Sequence, residues 1–179
     1  MLGGILGLLA GLFLHELAHA MACMAYGGYV FEIGVMLKLV FPGAYVMMDT
    51  RPITGRLKRA QVSAAGIEAN LLLAGLALFC AVHFPGSSLS LFYTALFNTE
   101  LALVNLLLVD GLDGAGIMAE LLGLDSLSDA VKDGLYGLVG KGRRPDPVYT
   151  VVCASTALVQ PTQIVLILLN VWVVVSWIM

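Results

Sequence analysis

Long apolar runs separated by short polar or glycine-rich breaks set the outline of this chain. Four runs, about residues 2–26, 61–84, 89–109 and 148–179, each meet the roughly 20 residues a helix needs to cross a bilayer. Gly27-Gly28 ends the first, and Pro85-Gly86-Ser87-Ser88 turns the chain between the second and third. As one helix the last run would extend about 48 Å at about 1.5 Å per residue, against a hydrocarbon core of about 30 Å. Gln160-Pro161-Thr162-Gln163 is therefore expected to kink or divide it, leaving room for a fifth span. From Tyr29 to Met48 the texture changes to β-branched and aromatic residues broken by Gly34 and Pro42-Gly43, which predicts a hairpin over about 29–48. Its arms, Val30–Leu39 and Ala44–Met48, are too apolar for open water. They are expected at the membrane interface against the helices, where protein or a wet cavity can satisfy non-helical backbone. Residues 49–60 read as a polar connector, and 117–147 as a solvated loop with one short amphipathic helix near 126–139. The expected fold is an all-α polytopic membrane protein of four spans, with room for a fifth, carrying a small membrane-associated β-hairpin in a single embedded domain, 1–179.

Composition strengthens the membrane reading: 60% of the 179 residues are hydrophobic and 12% charged. A net charge of −3 gives no reason to expect nucleic acid as a partner. Cys23, Cys80 and Cys153 stand singly, without CxxC spacing, and are expected to pack as small hydrophobes. Met1 to Ala10 lacks the basic start of a signal peptide and is expected to belong to the mature chain. Apart from Lys38, the basic residues fall in 51–59 and 132–144, separated by two spans and an uncharged turn. The positive-inside rule puts both stretches in the cytoplasm and the N-terminus outside.

Candidate chemistry lies in the second half of the first run, at His15-Glu16-Leu17-Ala18-His19. Residues four apart on a helix are neighbours, so His15 and His19 can ligate one ion while Glu16 points around the cylinder. Zinc, one per chain, suits two imidazoles with a third ligand and an open position, and Glu16 is then placed to take a proton from water. The blander alternative makes both histidines hydrogen-bonded residues of a helix bundle, but ionisable groups inside a span are costly and signal function. Glu68, Glu100, Asp110, Asp113 and His83 are the candidates for a third ligand. The expected orientation places the end of the third span at the depth of the histidines, so Asp110 and Asp113 can meet them, and His83 lies at the opposite end.

HELAH in the first run, Ala65-Gly66-Ile67-Glu68-Ala69-Asn70 in the second, and Asn105-Leu106-Leu107 followed by Leu112-Asp113-Gly114 together resemble the site-2 protease family of intramembrane zinc metalloproteases. The resemblance covers roughly residues 10–120. It implies that His15, His19 and Asp113 bind zinc, that Glu16 is the general base, and that Asn70 assists at the substrate carbonyl. Two departures stand out: Ile67 replaces a usual proline, and Leu108, Asp110 and Gly111 replace the prolines expected between Asn105 and Leu112. Those changes let Asp110 compete with Asp113. No PDZ-like segment is recognisable, so a minimal catalytic core is expected.

The function expected is peptide-bond hydrolysis within or beside the bilayer, on transmembrane segments or leftover signal-like peptides, with the site toward the cytoplasmic half. The rivals are a membrane metal carrier or sensor, which has no need of Glu16, and a pseudoprotease that binds without cutting. Asn70 and Asn105 can alternatively be interhelical hydrogen-bonding residues. Glu68 and Glu100 can orient a ligand or simply be bonded within the bundle. Oligomeric state is not legible. A helical substrate hides its carbonyls and must unwind, and a hairpin arm is expected to hold the unwound segment by strand addition.

Overall fold

The computed structural model describes residues 2–38, 41–109, 111–127, 129–130 and 165. The expected run 148–179, most of the helix near 126–139, and Asp110 lie outside the described residues. Two compact units divide the chain, 1–106 and 107–179.

In the first unit, α1 (Leu2–Ala25) leads into a two-stranded antiparallel sheet, β1 (Tyr29–Lys38) and β2 (Phe41–Asp49). Helices α2 (Arg56–His83) and α3 (Ser88–Asn105) follow, joined by a 3-10 turn at Pro85–Ser87. α1 ends as the glycine pair requires: Gly27, at φ 88°, bonds its N–H to Met24 O, and Gly28 N bonds to Cys23 O. This left-handed closure satisfies two carbonyls that the helix leaves open. Gly28 is then wedged between Cys23 Sγ and the carbonyl of Asp49, where no side chain fits.

The hairpin keeps the expected span, with Tyr29 opposite Asp49 at its base and an irregularity between Val30 and Glu32. Tyr45 lies across Gly34 and donates its hydroxyl hydrogen bond to Glu32. At the exit Arg51 grips the Asp49 carboxylate through its guanidinium, at 2.8 Å, and its backbone N–H, at 3.0 Å. These bonds hold the Asp49 carboxyl down to about 2. α1 packs on both strands, more extensively on β2.

Small residues decide how the three long helices meet. Gly3, Gly7 and Gly11 of α1 sit against Ser90, Thr94 and Asn98 of α3, so the two helices run parallel with one side chain per turn in contact. Asn98, fully buried, donates to Gly7 O at 3.2 Å and Thr94 O at 2.8 Å, tying α3 to α1. α2 starts at Arg56, earlier than the expected 61, directly after Gly55, whose φ of 105° breaks the connector. Among the described residues, two helices are long and apolar enough to cross a membrane, Gly3–Ala25 and Arg56–His83. α3, 18 residues long, carries Asn98, Thr99 and Glu100 in its interior. Outward-facing Leu6, Phe13, Leu72, Phe79 and Val82 are all exposed, as lipid-facing residues would be.

In the second unit the chain corrects an expectation. Residues 117–122, read as part of a loop, continue α4 (Asp113–Leu122). Gly111 at φ 87° and extended Leu112 turn the backbone into the helix, and Asp113 supplies a negative charge to its first turn. Gly123, left-handed at φ 71°, closes it with Gly123 N to Glu120 O and Leu124 N to Ala119 O. Ala115, Ala119 and Leu127 form a small buried cluster under the helix.

Candidate metal centre

Three helical positions of α2, each four residues apart, face the histidine motif of α1: Val62, Gly66 and Asn70, all buried. Four-residue spacing keeps them on one side of α2, and antiparallel passage brings Val62 to His19 and Asn70 to His15.

His15 and His19 are almost wholly buried, 5% and 4% exposed, with their Nε2 atoms 3.1 Å apart. Each ring's other nitrogen is engaged. His19 Nδ1 is 2.7 Å from the carbonyl oxygen of Val62, and a carbonyl only accepts, so His19 donates there and Nε2 keeps its lone pair in the neutral ring. His15 Nδ1 is 2.9 Å from the amide nitrogen of Asn70. The His19 contact is the kind that orients a metal-ligating imidazole, whose far nitrogen donates its N–H to a carbonyl. Two nitrogens at about 2.0–2.1 Å from a tetrahedral zinc would be about 3.3–3.4 Å apart, close to the separation here.

Gly66 supplies the space. A Cβ at this position would fall 2.6 Å from His15 Nε2 and closer still to His19 Nε2, so only glycine leaves the region before both nitrogens open. The donor chemistry and this clearance fit a metal ion. Within the first unit, His15 and His19 supply two of the three ligands expected.

Glu16 is half-buried on α1, about 100° around the helix from His15 and about 60° from His19. Asp113 is half-buried at the first turn of α4. The remaining described candidates lie as follows. Glu68 is exposed, Glu100 half-buried, and His83 exposed near the end of α2, where it bonds Phe79 O and packs on the Phe79 ring. Asn105 donates to Leu101 O within its own helix.

Sequence reasoning did not identify the carbonyl of Val62, the contact of Asn70 with His15, or the reason for glycine at 66. The available signal was the spacing Val62, Gly66, Asn70 on one helix face, with a residue of no volume between two larger ones. Ile67, standing where the resemblance leads one to expect proline, is buried in an uninterrupted α2.

Residues 3–90 match the family model described as peptidase family M50. No curated protein matches the chain.

Proposed function

Through residues 3–90 the chain belongs to peptidase family M50, a zinc-dependent family of membrane metalloproteases, and from that premise we propose that it is an intramembrane zinc endopeptidase. The proposed substrates are transmembrane segments of other proteins or membrane-bound peptides, cut in or near the bilayer. The observation that carries the reading is the pair of buried imidazoles whose Nε2 atoms converge beside Gly66 while both Nδ1 atoms are engaged from α2.

His15, His19 and Asp113 would hold the one zinc of the chain. When bound, zinc polarises a scissile carbonyl and lowers the pKa of water. Glu16, one residue from His15 and three from His19, takes the proton from the attacking water and delivers it to the leaving amine. The buried histidine pair and the helix faces around it exclude bulk water, which strengthens charge interactions there. The β1 edge, less covered by α1 than β2, offers main-chain groups to an unwound substrate segment. The proposed topology sets the metal site toward the cytoplasmic half of the bilayer with the N-terminus outside, and the proposed organisation is one embedded domain.

The test uses the purified chain in detergent with a transmembrane peptide. Cleavage should stop on chelation and return with added zinc, and Asp113→Ala should lower zinc affinity far more than Asp110→Ala. Cleavage that survives full removal of the metal would refute the reading. Stoichiometric zinc with no cleavage of any membrane peptide would favour the pseudoprotease or carrier.

A further inference from the structure

If His15 and His19 bind a metal as proposed, each must present a bare Nε2, and the two rings are constrained to do so very unequally. His19 has no choice, since the Val62 carbonyl can only accept and so fixes the proton on Nδ1. His15 faces a side-chain amide, which has a donor end and an acceptor end related by a half-turn about its own bond.

The two settings of Asn70 have opposite consequences. With Nδ2 toward His15, at the 2.9 Å seen here, Nδ1 accepts and His15 carries its proton on Nε2. That proton then points across 3.1 Å at His19 Nε2. A chain of donors runs from Asn70 through His15 and His19 to Val62 O, and it consumes the lone pair of His19 that a metal would need. With Oδ1 toward His15, Nδ1 must donate, and both Nε2 lone pairs face the clearance at Gly66.

The second setting has an acceptor ready for it. Asn70 is 0% exposed, and among the described residues its Oδ1 is buried with no hydrogen-bond partner, while its Nδ2 is already committed to His15. A buried acceptor without a partner is costly, and a half-turn of the amide gives it the His15 N–H. We infer that Asn70 is a positioning residue whose Oδ1 selects the Nδ1–H tautomer of His15 and so presents His15 Nε2 to the metal. Without metal the amide turns back and the histidines bond to each other. The pair is a latch with two positions, closed by an N–H···N bond and opened by an amide rotation. This role differs from donation to a substrate carbonyl, which would leave metal affinity unchanged.

The experiment measures zinc affinity of the full chain in detergent by competition with a chromophoric chelator, together with the visible spectrum of the cobalt-substituted protein, for wild type, Asn70→Leu and Asn70→Asp. Leucine is similar in size and can neither donate nor accept, whereas aspartate only accepts. Asn70→Leu should bind zinc about 10–100-fold more weakly and alter the cobalt spectrum, as expected when a ligand's outer partner is removed. Asn70→Asp should keep zinc affinity at least as high as wild type, with a wild-type cobalt spectrum. Wild-type affinity in Asn70→Leu, or an Asn70→Asp as weak as the leucine variant, would overturn the assignment. Should Asn70→Leu fail to fold, Asn70→Asp against wild type still decides, because a donor role predicts weakening there and an acceptor role does not. Cleavage is not among these readouts. A chain that binds zinc and cuts nothing would sink the protease proposal while leaving the role of Asn70 decided.

Discussion

Gly66 faces the two imidazoles so closely that a methyl group in place of its hydrogen would lie 2.6 Å from His15 Nε2. Alanine would favour the helix by about 1 kcal/mol through propensity alone, so weakened metal binding in Gly66→Ala could not be blamed on a weaker α2. Its zinc affinity should fall at least about tenfold, the scale seen when a metal site's surroundings are disturbed. A zinc titration indistinguishable from wild type would show that the clearance at Gly66 is irrelevant to the metal. The histidine spacing was legible in the sequence because it is local to one helix. Which side chain meets each far nitrogen was not, because it depends on how α1 passes α2, a pairing between residues such as His15 and Asn70 that no local pattern encodes. The role of Asn98 was not legible for the same reason: only the approach of Gly7 and Gly11 turns it into the tie between α1 and α3.

Elements announced by their own composition were read closely. α1 and the hairpin fall within a few residues of their expected bounds, since glycine pairs and β-branched runs act locally. α4 was missed because its apolar face, built on Ala115 and Ala119, is short and sits among charged residues that suggest a loop. The proposed use of the hairpin can be tested on β1. Proline removes one main-chain donor, so scanning it through Val35–Leu37 should find alternate positions at which cleavage falls while zinc content and folding persist. If no position behaves so, the hairpin is scaffold. Its base has a separate dependence on acidity. The Asp49 carboxyl, held down to about 2 by Arg51, lies below the roughly 3.9 of an unfolded chain. Whatever this pair adds to the hairpin is complete above that higher value and is lost as pH falls through the lower one.

For the molecule as a whole, apolar length and charge distribution carry the membrane assignment, and among the described residues two helices meet the requirement for spanning. Parallel α1 and α3, with α2 returning between their ends in sequence, suit a topology in which the connector before α2 and the turn after it lie on opposite sides. With the N-terminus outside, cysteines introduced by Thr54→Cys and Gly142→Cys should react only with a reagent supplied from the cytoplasm, and one from Ser87→Cys only from outside. Opposite labelling of positions 54 and 142 would mean an odd number of spans between them. The central claim is that this helix pair forms a hydrolytic zinc site with separate ligand and base roles, and side-by-side assays of zinc content and peptide cleavage in wild type, Glu16→Gln and His15→Ala test it most directly. The expected result is about one zinc per chain, as a single two-histidine site requires, in both wild type and Glu16→Gln, with cleavage in wild type alone and neither zinc nor cleavage in His15→Ala. Wild-type cleavage by Glu16→Gln, or full zinc in His15→Ala, would contradict it.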